Sequence, residues 1–454
     1  MIELFSVHNQ FKESLSRFRD FDPYLKKIKS APFKYVSSLI REKSLQTPGI
    51  FLISGGRQVG KSTFLKQFIL HLLEQKKAVP RNILFLTGEL IDSPHILKRY
   101  IDDFTHQGET QYLFIDEVNY IPDWDKAIKY CADSGMFRST RVLLTGSDSK
   151  IIKEAMKRFA GRRGRASKTN FLFHPLSFSE TVTLKHGPKD PDAIDPRQLQ
   201  DYFFEYLTHG GYLPAISEYM RTGAVPDFVV TTYIEWIIGD ILKHNKSEHY
   251  LYEVLSGVLK TYGTQVSWNT LGRFLSIEHH KTISDYCRIL EDIHVLYVVP
   301  ALDENKLTAA PKKNKKIYFC DPFIYNALNS YLFQKKTARK DIKNNPRLIS
   351  LLAEGVVIDQ FRRYRPVYYI KGTRGEVDAA VVVKNTFLPI EVKWARQIRP
   401  QEIKQIKHYP NGIIYGPREM DQPAENPSVY SLPRELLRVD TPELDLIKYY
   451  RNKK

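Results

Sequence analysis

The residues Gly55-Gly56-Arg57-Gln58-Val59-Gly60-Lys61-Ser62-Thr63 have the types and spacing needed to hold a polyphosphate. Such a group is gripped by converging backbone N–H groups, and Gly55 and Gly60 permit the backbone conformations this requires. Lys61 can reach the β and γ phosphates, and Ser62 can bind Mg²⁺. The helix start that follows adds partial positive charge. Asp116 and Glu117 end a later apolar run. Asp116 can hold the magnesium through water, and Glu117 can orient or deprotonate an attacking water. Thr145 and Ser147 end another run, where a hydroxyl can sense a γ-phosphate. Arg162 follows Gly161 directly, with Arg163 and Arg165 close by. An arginine near a γ-phosphate, from the same or a neighbouring subunit, stabilises transition-state charge. A solvated or DNA-facing basic loop is the competing reading of that segment.

A second constellation lies near the C-terminal end: Glu354, Asp378, Glu391 and Lys393. Strand residues two apart share a face, so Glu391 and Lys393 point together. Asp378 on the adjacent strand can join Glu391 around Mg²⁺. Lys393 can position or activate water, and Glu354 can approach from a helix. Two carboxylates and a lysine suit metal-assisted phosphodiester hydrolysis.

The elements that must carry these residues follow from the apolar pattern. Ile50–Ile53, Ile83–Leu86, Gln111–Glu117, Arg141–Ser147 and Phe171–Phe173 read as strands, most of them separated by helical stretches. That alternation predicts a parallel α/β sheet. Residues 1–48 read as a mostly helical arm, with Phe11, Leu15, Phe18 and Phe21 on one face. Residues 49–196 form the phosphate-binding core and 197–248 a helical segment interrupted at His209-Gly210-Gly211-Tyr212. In 249–338, Ser267 caps a short helix, a second helix follows, and a strand leads into KLTAAPKKNKKIYFCD. Helix–turn–helix and basic hairpin make a winged helix, with Lys281, Arg288, Lys312, Lys313, Lys315 and Lys316 as phosphate contacts. Residues 339–454 read as a further α/β domain, and Gln397–Lys407 as the start of a basic helix.

The chain has 454 residues, enough for several domains. Its 68 Lys and Arg against 51 Asp and Glu give +17, which suits a polyanionic partner, nucleic acid first. The three cysteines are far apart, which argues against a disulfide framework or a zinc site. With no signal-peptide pattern and no apolar run of bilayer length, a cytoplasmic protein with no membrane partner is expected.

The set GGRQVGKST, LFIDEVNYIPDWDKAIKY, LLTGSDS, FAGRRGR and HPLSFSE resembles a prokaryotic AAA ATPase family whose C-terminal domain has long had no assigned function. The resemblance runs from about residue 45 over nearly the whole chain. It implies nucleotide roles for Lys61, Asp116, Glu117, Thr145, Ser147 and Arg162, with Arg163 as the alternative to Arg162. It also implies that 197–248 is a small lid. The Glu354, Asp378, Glu391 and Lys393 set resembles the PD-(D/E)xK nuclease superfamily, which includes restriction enzymes and archaeal Holliday-junction resolvases. The expected fold is α/β: a P-loop AAA-type parallel sheet core with helical lid, winged-helix domain and C-terminal α/β PD-(D/E)xK nuclease-like domain. The expected function is an ATP- and Mg²⁺-dependent protein that binds and remodels duplex or branched DNA as a homo-oligomer. DNA cleavage by the last domain is left open. The alternative is a nucleotide-controlled switch or scaffold whose winged-helix and C-terminal domains bind protein partners without cutting DNA.

Overall fold

A computed structural model describes residues 2–105, 109–148, 152, 154, 157–188, 190–277, 279–395, 397–418 and 427–453. The chain divides into two compact units, Met1–His174 and Pro175–Lys454.

The first unit is built on five strands: β1 (Gly49–Gly55), β2 (Ile83–Thr87), β3 (Gln111–Asp116), β4 (Thr140–Gly146) and β5 (Asn170–Phe173). They pair in the order β2-β3-β4-β1-β5, and every pairing is parallel. Parallel neighbours need crossovers, and helices on both faces explain why the strands are unbroken apolar runs. Ile50, Leu52, Leu113, Ile115, Val142 and Leu144 belong to one buried cluster. A helix at Lys61–Glu74 packs Phe64 and Phe68 against the ring of Phe173 and the ring of Phe114, respectively.

The N-terminal residues form short 3-10 turns and two short helices, α1 (Leu15–Phe21) and α2 (Pro23–Ser30); the Lys61–Glu74 helix is α3. Phe11 and Phe18 are buried with ring centroids 5.2 Å apart, but Phe21 is 64% exposed. The expected single face breaks at Asp22, whose side chain accepts from the backbone N–H groups of Tyr24 and Leu25 and so starts a new helix. β2 is the sheet's edge strand. Asn9 closes it: its Nδ2 donates to the Phe85 carbonyl at 2.8 Å, and its Oδ1 accepts from the Phe85 N–H at 2.9 Å. One side-chain amide thus supplies the donor and acceptor a missing strand would have offered.

The second unit begins with helices Phe178–His186, Pro196–His209, Leu213–Thr222, Asp227–Lys243 and Glu248–Lys260. Gly210, at φ 62°, makes the turn between the second and third; a Cβ there would lie 1.7 Å from Asp321 Oδ1. Asp321 uses that closeness. It accepts from the N–H of Gly211 at 2.8 Å and from that of Phe323 at 2.7 Å, capping helix Pro322–Phe333. Between lie helices Trp268–Gly272 and His280–Asp292, then strands β6 (Leu296–Pro300), β7 (Leu302–Asp303), β8 (Thr308–Ala309) and β9 (Lys315–Phe319). β6 pairs antiparallel with β9, and β7 with β8. Ser267 caps its helix by accepting from the Thr270 N–H at 2.9 Å.

Helix Pro346–Arg362 leads to a second five-stranded sheet: β10 (Val367–Gly372), β11 (Gly375–Val383), β12 (Thr386–Val392), β13 (Ile413–Gly416) and β14 (Ser428–Ser431). They are adjacent in chain order; β10–β12 are antiparallel, and β13 and β14 add in parallel. The helix expected from Gln397 is instead a pair of short 3-10 turns, Pro400–Ile403 and Ile406–His408. Arg396 and the 419–426 segment lie outside the described residues. Among the described residues no helix is long and apolar enough to cross a membrane.

Candidate functional site

The phosphate-type loop joins the C-terminal end of β1 to the start of α3. Gly60, at φ 100°, turns the backbone so that Lys61 opens the helix. The Lys61 side chain is buried, and its Nζ donates to the carbonyls of Gly55 at 2.9 Å and Gly56 at 2.8 Å. It also lies 3.9 Å from Glu117 Oε1.

Parallel register delivers the partners. Ile53 of β1 pairs with Thr145 of β4, and Ile115 of β3 with Leu144, so Asp116 and Thr145 emerge together beside the loop. The Thr145 hydroxyl donates to Asp116 Oδ1 and accepts from the Glu117 N–H at 2.9 Å. The Ser147 hydroxyl reaches Glu117 Oε2 at 3.4 Å. Glu117 itself is left-handed, at φ 48° and ψ 51°, a conformation that costs a non-glycine residue energy and is typical of functional positions. Lys61, Asp116, Glu117, Thr145 and Ser147 therefore share one small volume. The hydroxyl of Ser62 and the carboxylate of Asp116 are hard oxygen donors of the kind Mg²⁺ takes, and the loop suits a nucleotide's phosphates.

One member of this site was not among the residues singled out from sequence. The hydroxyl of Tyr24, on α2, interacts with the Ser62 side chain and with the Asp116 carboxylate. Burial and then the Asp116 carboxylate push its pKa up to about 12. α2 is seated there by a buried pair, Lys66 Nζ to Asp22 Oδ2 at 3.2 Å, with the ammonium 3.5 Å from the Phe85 ring centroid. Burial brings that lysine's pKa down to about 8, against the pull of Asp22. Asp22-Pro23, a capping residue followed by proline, is the local signal for this helix start; where the helix lands depends on packing.

Arg162 is elsewhere. It is ion-paired with Asp133, the last residue of helix Trp124–Asp133. The neighbouring Arg163 carbonyl accepts from the Ile50 N–H, at the opposite end of β1 from the loop. Seven strand residues separate those ends, about 20 Å at the usual rise per residue. Of the two placements left open for Arg162, beside its own chain's nucleotide or a neighbouring copy's, the structure does not bring it to its own loop: β5 must return to pair with β1, and this leaves 162–164 at the opposite end of the strands. Part of the basic segment, including Lys153, lies outside the described residues.

In the second unit Glu354, Asp378, Glu391 and Lys393 do come together. Lys393 Nζ lies 2.6 Å from Glu391 Oε1, and Asp378 Oδ2 accepts from the Val392 N–H at 2.9 Å. Burial, then the charge of Asp378, raises the Glu354 carboxyl to about 7 and the Glu391 carboxyl well above its ordinary value. Burial alone would lower Lys393, but Asp378 and Glu391 outweigh it and hold the ammonium charged. No group of three or more His, Cys, Asp or Glu among the described residues has the geometry to hold a metal by itself. Asp378 and Glu391 fit Mg²⁺ by donor type, as two carboxylates. Sequence reading missed Glu376, Tyr318 and the role of Lys316. Lys316, expected on a DNA-facing wing, is fully buried against Glu354, Glu376 and Asp378.

Residues 47–182 match the family model of an AAA domain. The AAA segment contains β1 to β5 and every residue of the loop site except Tyr24. Residues 200–337 match a second model, a domain of unknown function, DUF8612. The uncharacterized protein MJ1544 of Methanocaldococcus jannaschii is 25% identical over 378 residues, 80% of this chain and 78% of that one. Among solved structures, the Walker-type ATPase paby2304 of Pyrococcus abyssi overlays with a TM-score of 0.44 at 14% identity, covering 64% of this chain and 93% of that one. The Aeropyrum pernix ORC2 protein gives 0.36 at 11% identity, over 72% and 93%. The Aeropyrum pernix ORC1 protein in complex with DNA gives 0.30 at 12%, over 64% and 89%.

Proposed function

We propose that this chain hydrolyses ATP and uses the cycle to act on DNA. The observation that carries the reading is the Thr145 hydroxyl, which ties Asp116 to the backbone of Glu117 beside the buried ammonium of Lys61. In this reading Lys61 and the loop N–H groups hold the terminal phosphates, and Ser62 and Asp116 hold Mg²⁺. The metal, when bound, offsets phosphate charge. Glu117 orients the attacking water and takes its proton at a carboxylate oxygen. Ser147 and Thr145 keep the two acids in register. Arg162, remote from its own loop, would exchange Asp133 for the nucleotide of a neighbouring copy, which makes a homo-oligomer part of the proposal.

DNA contact falls to the winged-helix-like 249–338 segment, where Lys281, Arg288, Lys312 and Lys313 are exposed. Metal-assisted cleavage falls to Asp378, Glu391 and Lys393, with Glu354 beside them. The second reading, a nucleotide-controlled switch that docks protein partners, is favoured by one observation: Lys316 is withdrawn from the basic surface into the carboxylates.

ATPase rates of wild type and Lys61→Ala, with and without single-stranded, duplex and four-way-junction DNA, test the proposal. Wild type should turn over ATP faster with at least one DNA, and Lys61→Ala should lose roughly 10²-fold or more. DNA-independent turnover together with undetectable DNA binding at moderate salt would hand the case to the switch.

A further inference from the structure

Glu354, Glu376, Asp378 and Glu391 all stand on helix Pro346–Arg362, β11 and β12, within the 339–454 segment. The cation at their centre does not. Lys316 belongs to β9, in the preceding segment, and its side chain has no exposed surface. Its Nζ lies 2.8 Å from Glu354 Oε1, 3.0 Å from Glu376 Oε1 and 3.4 Å from Asp378 Oδ1. Its N–H bonds go to Glu354 and Asp378, and Glu376 adds a third negative charge as an ion pair. Burying a lysine is costly unless it is paired in this way.

The contact is flanked by others on β9 and on the residues beside it. The Tyr318 hydroxyl, two residues on and so on the same face, donates to Glu354 Oε1. Gln265 reaches Glu376, Lys313 Nζ donates to the Lys371 carbonyl at 3.3 Å, and the Tyr369 hydroxyl donates to the Asn314 carbonyl at 2.7 Å. The β9 edge therefore lies over the cluster as a continuous seam.

Two observations say that the cluster is built for more positive charge than Lys316 and Lys393 supply. Four carboxyl groups face two ammonium groups, so full ionisation of the set, which burial and Asp378 oppose at Glu354 and Glu391, calls for the charge of one further divalent ion. Glu391, only 3% exposed, also carries a buried Oε2 with no hydrogen-bond partner among the described residues.

We propose that Lys316 is a tethered cation which competes with a divalent metal for this cluster. The inference rests on the metal-assisted reading of Asp378 and Glu391 given above. Seating of β9 draws Asp378 and Glu354 onto the ammonium. Metal binding at Asp378 and Glu391 pulls them the other way, so loading of the C-terminal domain and release of the preceding segment are one equilibrium.

The test uses the full chain without nucleotide. Mn²⁺ affinity is measured by calorimetry for wild type, Lys316→Gln, and Lys316→Gln combined with Asp378→Asn. Lys316→Gln should bind Mn²⁺ tighter by about tenfold or more, the order expected when a like charge a few ångström away is removed. Adding Asp378→Asn should abolish the gain. In wild type, needing no substitution in β9, Mn²⁺ should speed amide exchange over residues 313–319, and Asp378→Asn should cancel that response. A folded Lys316→Gln that binds Mn²⁺ equally or more weakly, or wild-type exchange that ignores Mn²⁺ while an Asp378-dependent site fills, overturns the competition and leaves the metal reading standing. Mn²⁺ titrations that never depend on Asp378 overturn both.

Discussion

Tyr24 and Ser62 are 38 residues apart in the chain, yet the phenol comes to interact with the loop hydroxyl suited to ligate magnesium. A hydroxyl that interacts with a neighbouring phenol must loosen that interaction, or share it, when it turns to a metal. Tyr24→Phe removes the competitor and leaves the ring that packs α2. The expected result is a lower Mg²⁺ requirement for ATP turnover, by up to roughly fivefold, since one hydrogen bond is worth about 1 kcal/mol net. A magnesium titration of ATPase rate in both proteins measures it; an unchanged or higher requirement would show that Tyr24 only supports the helix. At this scale the loop residues were legible because each chemical type sits at a fixed spacing on one strand–turn–helix. Tyr24 was not, because nothing local links a tyrosine on an N-terminal helix to a serine on another.

Elements decide where such residues land. The edge of β2 is sealed by Asn9, whose amide makes both bonds to Phe85. Asn9→Ala leaves a buried N–H and a buried carbonyl without these partners, and should lower the unit's stability by about 2–4 kcal/mol. Urea unfolding followed by far-UV circular dichroism reads this directly, and a loss near zero would mean that solvent satisfies the edge equally well. The strand period explains another result. In the run Lys312-Lys313-Asn314-Lys315-Lys316, alternate residues of β9 face opposite ways. Lys315 lies over the Trp268 ring at 4.1 Å, while Lys316 turns into the carboxylates. Read as composition, the run is one basic patch; paired with β6, it is two faces with different tasks. β13 and β14, four residues each, were too short for periodicity to show, and they exist because β12 offers them a parallel edge.

Across the second unit, buried ionisable groups tie stability to pH. His209 closes helix Pro196–His209, where its Nδ1 is hydrogen-bonded to the Gly210 carbonyl at 2.6 Å and its ring packs edge-on against Tyr219. Burial, and then the charge of Lys185, brings its pKa down to about 3 from 6.5. The unfolded chain takes up a proton near pH 6.5 that the folded chain refuses. The contribution is therefore intact above pH 6.5 and is lost as the pH falls toward 3, by at most about 1.4 kcal/mol per unit. Other groups in the unit titrate too, so the informative quantity is a difference. Between pH 7 and pH 5 the urea midpoint of wild type should fall further than that of His209→Gln; parallel shifts would mean that the imidazole is reached by water in the fold.

The sequence by itself determined the phosphate loop, the acid pair, the five core strands and the second set of carboxylates with its lysine. These are local: spacing along one strand or turn fixes which types stand together, and parallel strands buried on both faces must be apolar runs. Tertiary structure alone decided which chain-distant groups meet them. It brought Tyr24 beside Ser62, left Arg162 at the opposite end of the sheet from the loop, and put Lys316 among Glu354, Glu376 and Asp378. Each of those outcomes depends on how separate elements pack, and a buried charge goes where its counter-charges are, a constraint that no single stretch of chain contains.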